Sequence, residues 1–180
     1  MKRVGPVALW RGCALWMAGA ALLMLTGCGY HFAGGGESVS PAFRTVFVDT
    51  FTNQTSEAYA ENIFRTAFIS RFVQEGRFNL ARGRGDADVI CRGTIRNLQA
   101  APLAYKASNL SAEDRITVTL NLVFEERESG RRIWWNDGFT GTVEYPVTTV
   151  GVTESSRKNA LTKLANDTAE RAYRLMMSGF

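Results

Sequence analysis

Between residues 115 and 126 apolar and polar side chains alternate without interruption. Ile116, Val118, Leu120, Leu122 and Phe124 fall in one parity; Thr117, Thr119, Asn121 and Glu125 fall in the other. Successive side chains of a strand point to opposite faces, so this segment requires a sheet with one apolar face to cover and one polar face left open. Other segments share the requirement. Residues 45–51 (Thr-Val-Phe-Val-Asp-Thr-Phe) are β-branched and aromatic, as strands prefer. From Asp88 to about Leu98, Val89, Cys91, Gly93 and Ile95 take one face; Arg92, Thr94 and Arg96 take the other with Ile90 and Leu98. Glu128-Ser129-Gly130-Arg131 reads as a hairpin turn. The return strand is expected over 132–145, with a bulge near Asn136-Asp137-Gly138 and an end at Pro146. Its parities are Ile133, Trp135, Phe139, Val143 and Tyr145 against Arg132, Trp134, Thr140, Thr142 and Glu144.

Two segments have helical period. Ala60, Phe64, Ala67, Phe68 and Phe72 make an apolar stripe; Thr55 is the expected N-cap, Glu57 lies in the first turn and Gly76 is the stop. A second helix is expected over 153–177, with Leu161, Leu164, Ala165, Thr168, Ala172, Leu175 and Met176 buried. A short strand is expected at 77–81 and a turn at 82–86, and 99–114, which includes Tyr105 and Lys106, reads as a long loop. The order is strand, helix, strand, strand, strand, helix. A crossover through the first helix sets the first two long strands parallel. The expected fold class is α+β: a two-layer sandwich with two helices packed on one face of a mixed four-stranded sheet.

The start of the chain is an address. Lys2, Arg3 and Arg11 precede an uncharged apolar run from Ala14 to Leu25. That run is shorter than the ~20 residues of a membrane-spanning helix and suits a signal peptide. Leu25-Thr26-Gly27-Cys28 resembles the lipobox of bacterial lipoproteins. The resemblance implies a diacylglyceryl group on the Cys28 thiol, cleavage before it and acylation of the new amino terminus. The chain thus divides into a removed signal peptide (1–27), an acylated Cys and Gly-rich tether (28–40), and a single domain (41–180).

Cleavage changes the charge argument. The full chain carries 21 basic and 17 acidic side chains. Losing the three N-terminal cations leaves 18 against 17, so no strongly cationic nucleic-acid binder is indicated. With Cys28 acylated, Cys91 has no internal partner, and its apolar setting reads as a small buried hydrophobe. No catalytic residues, metal site or cofactor loop are expected. The single histidine, His31, lies three residues from Cys28, and no Cys/His cluster has metal-ligand spacing. Asp86 with Asp88, and Glu125-Glu126-Glu128, read as solvated turn carboxylates. Binding remains. Arg92 and Arg96 share a strand parity, Arg131 and Arg132 lie at a hairpin, and guanidinium forks suit phosphates and carboxylates.

Gly27-Cys28-Gly29-Tyr30-His31-Phe32, then Val46-Phe47-Val48-Asp49-Thr50-Phe51-Thr52-Asn53-Gln54-Thr55, then Phe78-Asn79-Leu80, Ala87-Asp88-Val89-Ile90, Gly93-Thr94-Ile95 and Tyr145-Pro146-Val147 occur in order and spacing similar to the LPS-assembly lipoprotein family, LptE. The resemblance covers nearly the whole mature chain. It implies an outer-membrane lipoprotein on the periplasmic face, held through acylated Cys28, that plugs and helps assemble an LptD-like β-barrel and binds lipopolysaccharide. No nucleic-acid partner is expected from the mature charge, and Gly29 is not the Asp that commonly retains lipoproteins at the inner membrane. Arg92, Arg96, Arg131 and Arg132 are the lipopolysaccharide-binding candidates from strand parity. The alternative is a periplasmic interaction lipoprotein serving another envelope transporter or secretion pore.

Overall fold

In a computed structural model, which describes residues 35–36, 39–104, 111–148 and 154–178, one mixed sheet carries both helices on a single face. The elements are β1 (Gly35–Gly36), β2 (Thr45–Val48), β3 (Thr52–Asn53), α1 (Ala60–Glu75), β4 (Asn79–Leu80), β5 (Val89–Ala104), β6 (Ser111–Glu126), β7 (Arg132–Thr148) and α2 (Glu154–Ser178), with a 3-10 turn at Arg84–Asp86. The sheet order is β1-β7-β6-β5-β2-β4, and β3 also pairs with β5. The α+β sandwich is as expected, but among the described residues the sheet has seven strands rather than four. Three of them are two-residue pieces flanking the long ones. As the crossover requires, β2 runs parallel to β5, and β5, β6 and β7 form an antiparallel meander. Residues 1–34, with the expected signal peptide and Cys28, lie outside the described residues. Within the expected tether, Gly35 and Gly36 pair with Trp135 and Trp134 at the edge of β7.

The helical stripes bury as their period dictates. Ala60, Phe64, Ala67, Phe68 and Phe72 of α1 face the sheet. Ala160, Leu161, Leu164, Ala165, Thr168, Ala169, Ala172, Tyr173 and Met176 of α2 do the same, whereas Leu175 is left 36% exposed. The helices run side by side in the same direction: Arg71 pairs with Glu170 at 2.7 Å, and Arg157 with Glu57 nearer their starts. Gly76 stops α1 at φ 66°, the left-handed conformation that glycine adopts without steric cost. The start of α1 differs from expectation. Thr55 is not the N-cap, nor is Glu57 in the first turn. Asn53 holds the preceding loop instead, accepting from the Thr55 N–H and donating to the Glu57 carbonyl, and the helix begins five residues later, at Ala60.

The segment 99–114 is not a loop. β5 and β6 continue as a long hairpin through Gln99↔Thr117, Ala101↔Arg115 and Ala104↔Glu113, leaving only 105–110, which hold Tyr105 and Lys106, outside the described residues. Ala100, Ala101 and Pro102 have weak strand preference, but pairing with β6 decides their conformation. Pro102 sits beside a register shift, where the ladder tolerates its missing N–H. Likewise β7 does not end at Pro146, which pairs with Glu113 and lies where β7 has no outer neighbour among the described residues.

Bulges redirect side chains that simple alternation places on the wrong face. Register shifts at Ile95/Asn97 make Arg96 the extra residue of β5, so Leu98 turns to the core face instead of joining Arg92 and Thr94. A shift between Phe124 and Glu125 makes Ile133 extra. Trp134 therefore pairs with Phe124 and is 1% exposed, while Trp135 pairs with Val123 on the open face. The expected bulge at Asn136-Asp137-Gly138 restores the parity of Phe139, Val143 and Tyr145. Cys91 is fully buried and free, and burial pushes its thiol up to about 12. Among the described residues no helix is long and apolar enough to cross a membrane.

Asp88 is not the solvated turn carboxylate of the sequence reading. Its carboxylate accepts the backbone N–H groups of Arg44 and Thr45, each at 2.8 Å, and its own N–H donates to the Thr45 hydroxyl at 2.9 Å. This clasp fixes β2 against the start of β5. The Arg44 N–H first, then the Thr45 N–H and the Thr45 hydroxyl, favour the charged form and hold the Asp88 carboxyl below its ordinary value of 3.8. A depressed carboxyl stabilises the fold above its unfolded value and loses that contribution as pH falls through the folded one. Wild-type protein should therefore exceed Asp88→Asn in stability near neutrality, and the gap should shrink from about pH 4 downward. Denaturant melts of both proteins from neutral to acid pH check this; a gap independent of pH would refute it.

Candidate site on the open sheet face

The helices cover one face of the sheet and leave the other to solvent. Cross-strand register orders that open face into rows. Asn97–Thr119–Thr140 and Gln99–Thr117–Thr142 give a neutral, hydroxyl-rich surface toward the hairpin. Farther along, Arg92–Val123–Trp135 and Phe47–Ile90–Glu125–Arg132 combine charge with apolar side chains.

Glu125 is the centre of this second region. It is 7% exposed, and its carboxylate accepts from the Arg92 guanidinium at 2.6 Å. Arg84 stands 3.8 Å from the same carboxylate and pairs with Asp49 at 3.0 Å. The 3-10 turn brings Arg84 over the face, and β2 supplies Asp49 at its C-terminal end. A carboxylate buried to this degree needs its partners, since removing them leaves a charge without water or counter-ion. Glu125 is thus no solvated turn residue: the strand continues to Glu126, and the register places Glu125 between Ile90 and Arg132.

The four candidate arginines stand apart in state. Arg92 is engaged by Glu125. Arg131 lies 3.5 Å from Glu126 at the hairpin. Arg132 sits opposite Glu125 in register, exposed, and forms no ion pair among the described residues. Arg96, the bulge residue, is exposed several rows away and also forms none there. The structure therefore brings Arg92 and Arg132 to either side of one carboxylate and leaves Arg96 outside that group. Sequence reasoning missed Asp49, Arg84 and Glu125. The parity of Glu125 with Thr119 and Asn121 placed it on the open face, but parity within a strand does not reveal which residue of the next strand stands opposite.

The family model described as lipopolysaccharide-assembly, LptE, matches residues 43–176. No curated protein matches the chain. Among solved structures, a minor lipoprotein from Acinetobacter baumannii is similar at 12% identity, covering 76% of this chain and 94% of that one, with a TM-score of 0.47. A protein from Xanthomonas campestris shows 11% identity, 82% and 95% coverage and a TM-score of 0.46. A PelC dodecamer from Paraburkholderia phytofirmans shows 14% identity, 75% and 92% coverage and a TM-score of 0.44.

Proposed function

Since the chain belongs to the LptE family of lipopolysaccharide assembly, we propose that it is an outer-membrane lipoprotein that binds lipopolysaccharide and both plugs and helps assemble an LptD-like β-barrel. The observation that carries this reading is the family match over residues 43–176, which spans both helices almost completely and all the long strands. Residues 1–27 serve as the signal peptide, and Cys28 carries the acyl chains that hold the body at the periplasmic face. One acyl chain gives only reversible attachment, whereas two or three make it stable. The domain, 41–180, acts by binding rather than catalysis.

The open face supports the barrel reading on physical grounds. A wide barrel has a polar lumen, and the rows of Thr117, Thr119, Thr140 and Thr142 offer hydroxyls that hydrogen-bond to such a wall without a charged group to desolvate. Arg92, Arg96, Arg131 and Arg132 serve as contacts for the anionic groups of lipopolysaccharide, with guanidinium forks matched to phosphate oxygens. Arg96 and Arg132 reach such a ligand without breaking an ion pair seen among the described residues.

Affinity purification of the full chain from detergent-solubilised outer membrane tests the reading. A large β-barrel should co-purify in equal amount, together with lipopolysaccharide. Recovery of an inner-membrane transporter in its place would overturn it.

A further inference from the structure

The Glu125 cluster has more positive than negative groups. Arg84, Arg92 and Arg132 stand against Asp49 and Glu125, so three guanidiniums meet two carboxylates. The cluster is also unevenly bound. Arg92 and Arg84 are drawn onto Glu125, while Arg132, opposite the same carboxylate, has no ion pair among the described residues. Glu125 itself is 7% exposed, yet Arg92 keeps 45% of its side chain open to solvent and Arg84 keeps 56%. The carboxylate is therefore the floor of the cluster and the guanidiniums are its rim. Phe47, Ile90, Val123 and Trp135 occupy the neighbouring row positions and limit how much water reaches the pairs from the side.

We propose that Glu125 is a built-in counter-ion: it holds Arg92 and Arg84 in place on the open face and sets the affinity of the Arg92 and Arg132 guanidiniums for a phosphate group. This rests on the reading that the open face meets lipopolysaccharide, and it concerns which residues set the strength of that meeting. The phosphate is either part of a lipid headgroup or free in solution; both present anionic phosphoryl oxygens to a guanidinium fork. A carboxylate beneath the fork does two things. It fixes rotamers that are otherwise costly to order, which favours binding. It also repels the incoming anion, which keeps the affinity low enough for release and disfavours ligands too weakly charged to compete. Glu125 is a positioning residue in this account, and Arg92 and Arg132 make the contact.

The test uses the full chain in detergent, with inorganic phosphate and purified lipopolysaccharide as separate probes. Phosphate binding is followed by phosphorus NMR line broadening and lipopolysaccharide binding by titration calorimetry. Glu125→Gln keeps an acceptor for Arg92 but removes the charge. It should tighten phosphate binding roughly tenfold, the effect of removing one close like-charge contact near a protein surface. Arg132→Ala, made alone, should weaken phosphate at least fivefold with an unchanged melt, and should cancel the gain when combined with Glu125→Gln. A purely structural ion pair would shift the melt of Glu125→Gln and leave both affinities where they were.

Tighter binding of both probes supports the proposal with a lipid headgroup as the source. Tighter binding of phosphate alone supports it with free phosphate as the source, and shows that lipopolysaccharide is read elsewhere. Unchanged or weaker binding of both probes by folded Glu125→Gln overturns it, as does failure of wild type to bind phosphate. If wild type then still binds lipopolysaccharide, the functional reading stands without this site. Should Glu125→Gln not fold, Arg132→Ala decides: unchanged phosphate affinity overturns the proposal.

Discussion

Replacing Phe72 by alanine should lower the unfolding free energy by about 3–5 kcal/mol, the usual cost of deleting a buried aromatic ring from a close-packed core. Phe72 is 1% exposed and joins three parts of the molecule. Its ring lies 5.9 Å from Phe124 of β6, 5.9 Å from Phe78 beyond the end of α1, and 5.4 Å from Tyr173 of α2. The edge-on contacts with Phe78 and Tyr173 and the stacked one with Phe124 each add to simple area burial. No neighbour can collapse into the space without giving up one of these contacts. Equilibrium denaturation by urea measures the loss, and a change below about 1 kcal/mol would show that the two helices and the sheet do not meet through this ring.

Gly93→Ala should be destabilising by about 2–3 kcal/mol, which is unusual for the addition of one methyl group to a strand. The reason is space. A Cβ at position 93 would stand 2.1 Å from Phe51 Cε1 and 2.4 Å from Cδ1, far inside contact distance. The Phe51 ring has nowhere to retreat, because Phe64 lies 6.4 Å away and Phe68 5.1 Å away on its other sides. The sheet thus lacks a side chain where the aromatic cluster under α1 needs its floor. Thermal melts of Gly93→Ala, Phe51→Leu and the double variant check the argument. The double variant should be more stable than the sum of the single losses predicts, since a smaller residue at 51 makes room for the methyl group. Simple additivity would refute it.

These two sites show which parts of the fold were legible in the sequence. Phe72 was on a helical stripe that could be counted, and every expected member of the α1 stripe is buried. The inward positions of β6 from Ile116 to Phe124 followed from alternation alone. Gly93 was correctly placed on the inward face, but its reason for being glycine lies in Phe51, more than forty positions earlier. Alternation failed wherever a bulge intervened. Trp134 and Trp135 exchange faces, Leu98 turns inward, and Arg96 leaves the row of Arg92 because single extra residues at Ile133 and Arg96 shift the count by one. The hairpin arms beyond Leu98 were hidden for another reason: Ala100, Ala101 and Pro102 are held by their partners across the ladder and not by their own preference.

The candidate site was legible to the same extent. Alternation alone turns Arg92 outward, whereas Arg132 stands out in the sequence only through its place at a hairpin. In the sequence Glu125 looks like a solvated turn residue, because Glu126 and Glu128 are acidic and a turn follows. The charges that pair with it, Arg84 and Arg92, come from two other segments. Charge networks that cross a sheet are set by register, and register is not a property of any one strand.

The outer side of β7 has a further consequence. Gly35 and Gly36 occupy it at Trp135 and Trp134, the bulge at Asp137 and Gly138 bends it, the Thr140 carbonyl accepts from the Arg171 guanidinium at 2.8 Å, and Pro146 offers no N–H. The stretch left open to strands of neighbouring molecules is short, 141–145 among the described residues. This matters most for a protein confined to a surface, as the acyl anchor proposed at Cys28 would confine it. Copies sharing one plane meet far more often than copies in free solution, and any sticky border would knit them into ribbons. A border obstructed in this way disfavours edge-to-edge pairing among copies that share one membrane.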